Sequence, residues 1–400
     1  MTPLAAMNAE SPTAEKPVDC AVATRATSNG NLPGLFLMID SLQTGGSERQ
    51  FVTLSRALNL AGHRVHLGCI QNTGPLLDSV GTEIQHFPLG GSMYGLQSWK
   101  TRLDLVRYLR RNQTAIAHAF DFYTNLTLIP PARLAGIPVV IGSHRQIGDL
   151  LTPMQFRAQL MVFHQCDAVV CNSSAAAERL IDGGLNENKI TIIWNGLAPE
   201  FFAEEAPALP TPPGWKRVGM IARMNGKVKN HSLFLRVAAR VKTIHPKVEF
   251  VLIGDGPLRQ ELEREAASLG LGDNVRFLGD RQDIPAVLAS LDLSVLPSNS
   301  ESLSNSVIES MAAGVPVIAT EVGSNPELLA EDRGALIPVG DEKALAAALV
   351  GLLQDDNLRL RMAQSCRSFA ISNFTIDQMR SRYEALYTQL LSRKDVTHSA

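Results

Sequence analysis

From Gly34 onward, short apolar runs alternate with longer amphipathic stretches. Leu35-Phe36-Leu37-Met38-Ile39 has the continuity of a buried strand. A polar loop, Gln43-Thr44-Gly45-Gly46-Ser47, then leads into a helical stretch over 48–60. The pattern predicts further strands over 64–70, 115–118, 138–142 and 168–171, and helices over 98–112, 123–135 and 153–164. Strands separated by helices of this length imply parallel βαβ units. Four prolines within 204–213 cannot lie inside a helix or a central strand, so this stretch reads as a linker. The alternation then restarts, with strands expected over 217–222, 248–253, 275–278, 293–296 and 315–320. Helices are expected over 231–243, 258–268, 284–290 and 304–313. The fold class expected is α/β, with two Rossmann-like doubly wound domains, 34–205 and 206–374, facing across a cleft. An amphipathic helix over 375–393, opening on Thr375 as N-cap, ends the chain.

Composition removes several alternatives. Residues 1–33 are rich in Ala, Ser, Thr, Pro and Asn, and are expected to form a disordered tail. They lack the basic start and apolar core of a signal peptide. No run reaches the roughly 18 apolar residues that span a bilayer. The 400 residues carry 37 Lys+Arg and 39 Asp+Glu, a net −2 that argues against a nucleic-acid binder. Cys20, Cys69, Cys166, Cys171 and Cys366 form no CxxC pair and no zinc spacing, which suits reduced thiols in the cytoplasm.

The strongest chemical signal runs from Pro297 to Glu309. A buried strand ends, a polar loop containing Glu301 follows, and a helix starts near Ser304 with Glu309 about one turn inside it. Unsatisfied N–H groups at Leu303, Ser304 and Asn305 make that helix start a suitable phosphate site. A Ser-capped helix with one exposed and one paired glutamate is the blander reading. A second cluster, Arg223-Met224-Asn225-Gly226-Lys227-Val228-Lys229-Asn230-His231, follows the first strand of the second domain. Arg supplies a planar fork and Lys a point charge, a combination suited to a diphosphate. Asn230 is the expected cap of the next helix. Gly45-Gly46 permits close approach of a ligand, but is not the GxGxxG fingerprint. Gly254-Asp255-Gly256 reads mostly as a turn.

The ordered series resembles the large family 4 of retaining nucleotide-sugar glycosyltransferases, which have the GT-B fold. It comprises Gly45-Gly46-Ser47-Glu48-Arg49, Cys171-Asn172-Ser173-Ser174 and Trp194-Asn195-Gly196 in the first half. Arg223 with Lys229-Asn230-His231, then Ile253 to Leu258, then Pro297-Ser298 with Glu301 through Glu309, and Met311 to Thr320 complete it. The resemblance covers nearly the whole chain from about residue 34. It implies that Arg223 and Lys229 neutralise the donor diphosphate, with Lys227 as the competitor for the lysine role. Gly45 and Gly46 would let the first-domain loop approach the phosphates. Glu309 would accept from ribose hydroxyls, and Glu301 would lie near the donor sugar. It implies retention of configuration with no metal and no cofactor, the nucleoside-diphosphate sugar being a co-substrate. The C-terminal helix would cross back and pack on the first domain. Ser302 and Ser304 stand where the family usually has Gly and then Gly or Pro.

On the acceptor side, relatives often carry an H-x-H pattern, of which His118 survives while Phe120 replaces the second His. His118, Asp121, His144 and Arg145 all fall near predicted strand ends and are the candidates there, His118 also as a catalytic residue. Residues 89–145 carry a local excess of five positive charges. The helix over 98–112 has Trp99, Leu103, Val106 and Leu109 at helical spacing. It is either a core-facing helix with a solvated outside or a contact for anionic lipid or a lipid-diphosphate acceptor. The expected activity is transfer of a sugar to a glycan, lipid-linked or small acceptor in cell-surface polysaccharide or glycolipid synthesis, on the cytoplasmic face of the membrane. A sugar-nucleotide epimerase or hydrolase, or a non-catalytic sugar-nucleotide sensor, are the alternatives.

Overall fold

The computed structural model describes residues 33–146 and 151–398. The tail expected over 1–33 lies outside the described residues, apart from Pro33. The first sheet contains β1 (Gly34–Ile39), β2 (Val65–Cys69), β3 (Ile84–His86), β4 (Thr114–Ala119), β5 (Val139–His144), β6 (Ala168–Cys171) and β7 (Ile190–Ile192). Its order is β3-β2-β1-β4-β5-β6-β7 and every pairing is parallel. Helices α1 (Gly46–Leu60), α2 (Leu96–Arg111), α3 (Phe122–Ala135), α4 (Pro153–Phe163) and α5 (Ser174–Asp182) cover its two faces.

The second sheet contains β8 (Lys216–Ile221), β9 (Val248–Ile253), β10 (Val275–Gly279), β11 (Leu293–Leu296), β12 (Val317–Thr320) and β13 (Gly334–Ile337). Its order is β10-β9-β8-β11-β12-β13, also parallel. Its helices are α6 (His231–Ile244), α7 (Arg259–Ser268), α8 (Ile284–Leu288), α9 (Asn305–Ala312), α10 (Asn325–Leu329), α11 (Glu342–Gln354) and α12 (Asp356–Asn373). Each sheet is doubly wound, with the strand order reversing beside its central strand, β1 or β8. Ligands bind beyond the carboxyl ends of the strands at such a point. The completely buried runs in β1, β5, β6, β11 and β12 explain why those strands read as continuous apolar stretches.

The last helix, α13 (Ile376–His398), buries Met379, Tyr383, Leu386, Tyr387 and Leu390 in the core of the first sheet. Thr375 Oγ1 accepts from Gln378 N at 3.2 Å at its start. The chain thus passes twice between the sheets, and the two passages lie together, with Leu197 N bonding Phe374 O at 2.7 Å. Trp194 packs on Phe369 and Phe374. The proline-rich stretch does not hang between the sheets. Arg217, 1% exposed, gathers Leu209 O, Pro210 O and Thr211 Oγ1, and so holds it against the second sheet. The crossing itself lies upstream, near Asn195 to Leu197.

Candidate functional site

Two cavities open where the sheets face each other. One, of about 530 Å³, lies at the strand ends of the second sheet, and Gly45, Gly46 and Arg49 line it from the first. Arg223, Lys229, Glu301, Leu303, Ser304, Asn305 and Glu309 all line it. Lys227 does not. β11 delivers its loop here because it ends at Leu296 beside the central strand, and α9 begins at once after the loop. Ser304 occupies the N-cap position of α9 but makes no capping hydrogen bond, its hydroxyl lying 3.3 Å from Ser306 Oγ. The helix therefore presents a first turn without a side-chain cap to the cavity, the arrangement that accepts an anion.

Lys229 Nζ and Glu301 Oε1 are 2.5 Å apart, and Ser298 Oγ donates to the same oxygen at 2.6 Å. The backbone under Glu301 is held by Gly323, at φ +56°, where a Cβ would stand 2.1 Å from Glu301 O. Glu309 is 9% exposed, and burial pushes its carboxyl up to about 7, with Arg49 of the first domain acting the other way. Asn230 does not cap α6 with its side chain. It takes the left-handed conformation (φ 54°, ψ 47°) that asparagine tolerates, and its Nδ2 donates to Asn299 Oδ1 at 3.2 Å.

The second cavity, of about 480 Å³, sits at the strand ends of the first sheet. Asp121, His144 and Arg145 line it together with Asp40, Glu48 and Gln159. Asp121 caps α3, its Oδ1 accepting from Thr124 N at 3.0 Å. Burial pushes its carboxyl up to about 7, with Asp40 adding to the rise. Asp40 and Glu48 are raised as well, chiefly by burial.

His118 belongs to neither cavity, and the expectation of a catalytic or acceptor-side role is corrected here. It is fully buried, with Nδ1 2.9 Å from the Tyr387 hydroxyl and Nε2 2.8 Å from Ser143 Oγ. Burial lowers its pKa to about 3, with Arg145 adding to the effect. It is a neutral core residue that fastens α13 to the first sheet. The reason is register: His118 precedes the end of β4 and points into the layer that α13 covers, whereas Asp121 lies past the strand.

A polar seam joins the domains beside the cavities. Ser302 Oγ donates to Asn172 Oδ1 at 2.8 Å and lies 2.9 Å from Ser173 Oγ. Asn195 Nδ2 donates to Asn305 Oδ1 at 2.7 Å, and Ser174 Oγ donates to Glu327 Oε2 at 2.7 Å. A Cβ on Gly46 would stand 3.1 Å from Asn305 Nδ2. Asn172, Ser173 and Asn195 belong to segments that carry the family resemblance, but the sequence assigns them no partner, since a small polar residue in a loop finds one only in the folded chain. Ser302, which departs from the family pattern, finds its use in this seam.

On α2, Val106 and Leu109 are buried, but Trp99 and Leu103 are 62% and 51% exposed. The four therefore do not share one core face. Arg102, Arg107, Arg110, Arg133 and Arg145 each have protein partners, leaving Lys100 and Arg111 without a partner among the described residues.

With this geometry in place, comparison with known proteins identifies the class. Residues 44–201 match the model for Glycosyltransferase Family 4, and residues 215–355 match that for Glycosyl transferases group 1. The chain is 31% identical over 242 residues to a lipopolysaccharide core biosynthesis glycosyltransferase, LpsE, of Rhizobium meliloti, covering 60% of this chain and 68% of the relative. It is 26% identical to the Escherichia coli UDP-Gal:alpha-D-GlcNAc-diphosphoundecaprenol alpha-1,3-galactosyltransferase, covering 82% and 90%. Among solved structures, Anabaena HepE in complex with UDP superposes with a TM-score of 0.78 at 20% identity, covering 90% of this chain and all of that one. The chain belongs to glycosyltransferase family 4 and has the GT-B fold. It is a glycosyltransferase.

Proposed function

We propose that this glycosyltransferase is retaining and metal-independent. It transfers a sugar from a nucleoside diphosphate to a hydroxyl of a glycan, lipid-linked or small acceptor. The observation that carries the reading is the uncapped start of α9 flanked by Arg223 and Lys229, with Glu301 and Glu309 to either side. Arg223, Lys229 and the N–H groups of Leu303 and Ser304 hold the diphosphate, and stabilise the charge that grows on it as the glycosidic bond breaks. Glu309 accepts from ribose hydroxyls and Glu301 from the donor sugar. Ile221, Ile253 and Ile284 offer the apolar wall against which a base can pack. The acceptor hydroxyl forms a bond to the anomeric carbon on the face the diphosphate leaves, and its proton goes to a leaving phosphate oxygen. The first-domain cavity holds the acceptor, with Asp121, His144 and Arg145 among its walls.

Exposed Tyr94 before α2 and Leu96, Trp99 and Leu103 on it, with Lys100 and Arg111 on the same helix, support peripheral contact with anionic membrane. No helix among the described residues is long and apolar enough to cross a membrane.

The test is a thermal-shift screen of nucleotide sugars followed by release of nucleoside diphosphate with and without acceptors. Lys229→Ala should lose about 100-fold or more in kcat/KM, the scale of removing one group that stabilises transition-state charge. Unchanged donor affinity and turnover in that variant overturns the assignment. Release that needs no acceptor indicates a hydrolase, and tight binding without release a sensor.

A further inference from the structure

The acceptor-side cavity has the opposite charge from the donor cavity. Three carboxylates, Asp40, Glu48 and Asp121, face a single guanidinium, Arg145. Asp121 Oδ2 accepts from Asp40 N at 2.6 Å, which sets the two residues side by side. Among the described residues the Asp40 carboxylate accepts only from Gln71 Nε2, at 3.2 and 3.3 Å. The Glu48 carboxylate folds over Gly45, where a Cβ would stand 2.0 Å from its Oε2. The terminal nitrogens of Arg145 are held by Asn195 Oδ1 and the Tyr383 hydroxyl, while its Nε is buried without a partner among the described residues. Burial and Asp40 raise the Glu48 carboxyl, while Arg223 from the donor side and Arg145 within the cavity act the other way. The three carboxylates are not disposed to hold a metal ion.

A second observation points to a ligand. His144 and Gln159, each 1% exposed, line the same cavity. Their ring and amide meet weakly at 3.4 Å, while His144 Nε2 and Gln159 Oε1 have no partner among the described residues. Buried polar atoms left in this state are costly, and a bound hydroxyl group relieves the cost. Burial lowers the His144 pKa to about 4, so it adds no cation to offset the carboxylates. Tyr123 and Phe122 supply aromatic surface at the mouth.

Resting on the transferase reading above, we infer that this cavity takes an uncharged sugar residue of the acceptor. Asp40 and Glu48 reject a residue that itself carries a carboxylate or phosphate. Discrimination here is by excess of like charge: among the described residues an anion on the ring meets Asp40, Glu48 and Asp121 against one guanidinium, Arg145, whose terminal nitrogens are already engaged. Any phosphate that anchors the acceptor is therefore set back by at least one neutral sugar. An earlier glycosyl transfer must install that sugar, and this enzyme extends its product.

The experiment pairs neutral octyl glycosides (glucoside, galactoside, N-acetylglucosaminide) with matched octyl glucuronide, galacturonide and glucoside 6-phosphate. Transfer is measured with a nucleotide sugar that binds in the thermal-shift screen, and binding by saturation-transfer NMR on the full chain loaded with the nucleoside diphosphate. Wild type should favour the neutral member at least tenfold in transfer, and bind it detectably where the anionic member does not bind. In Asp40→Asn/Glu48→Gln the ratio should fall at least fivefold, and Glu48→Gln alone should move it in the same direction. Equal use or preference for anionic glycosides, or a ratio unchanged in folded variants, overturns the inference. So does donor binding with no binding of any neutral glycoside. Failure to bind any nucleotide sugar is a different result, and strikes the transferase reading itself.

Discussion

Gly323 shows how a single backbone position supports the chemistry from behind. Its φ of +56° is strained for any side chain, and a Cβ would collide with the carbonyl of Glu301. Gly323→Ala should destabilise the fold by about 1–3 kcal/mol and also weaken donor binding, because Glu301 must move. Thermal melting with and without nucleotide sugar measures both effects; a destabilised variant with unaltered donor affinity would show that the loop is not part of the site. Glu309 carries a pH signature. Its carboxyl titrates near 7 in the fold against a usual 4.5, so between these values the folded state holds a proton that the unfolded chain has lost. Its contribution is present in full below 4.5 and is lost as pH rises through 7. The shift corresponds to roughly 3 kcal/mol. Glu309→Gln should therefore gain on wild type by up to that amount between pH 5 and 8 in urea unfolding. His118 and His144 titrate in the opposite sense, but are common to both proteins and cancel in the comparison.

At the scale of elements, α13 is fastened to the first sheet by a buried polar contact as well as by its apolar face. The Tyr387 hydroxyl meets His118 Nδ1, and Lys394 pairs with Asp167 at 2.7 Å. Tyr387→Phe leaves His118 Nδ1 buried without its partner, which should cost about 1–3 kcal/mol. Because neither residue lines a cavity, KM for the donor should stay within twofold. A large change in donor KM with little loss of stability would return His118 to the site. Strand and helix positions were largely legible from periodicity, as β6, β9 and β11 show, since buried parallel strands read as apolar runs. The short edge strands β3 and β7, only partly buried, carried no such run and were not read. α2 misled for a related reason: helical spacing identifies which residues share a face, but not whether a neighbour covers it.

Across the whole molecule, the seam through Ser302, Asn172, Ser173, Asn195 and Asn305 holds the two domains together beside both cavities. Ser302→Ala removes two of its hydroxyl contacts, each worth about 1 kcal/mol. The cleft should then open more readily, seen as a larger radius of gyration by small-angle scattering. kcat/KM should fall by about tenfold, in line with roughly 1–2 kcal/mol lost from closure. Identical scattering and kinetics would mean that the seam contributes nothing to closure.

The sequence by itself determined the two doubly wound domains and singled out four residues that line one cavity. Apolar runs and turn residues are local properties, and Arg223, Lys229, Glu301 and Glu309 belong to short loop-to-helix segments whose geometry is also local. Only the tertiary structure decided which residues line the first-domain cavity. His118, Asp121 and His144 looked equivalent near strand ends. Which of them faces the cavity depends on strand register and on α13 arriving from more than 250 residues away to cover His118. It likewise decided that Ser302 meets Asn172 across the cleft, because a hydroxyl in a loop has no partner until the second domain supplies one.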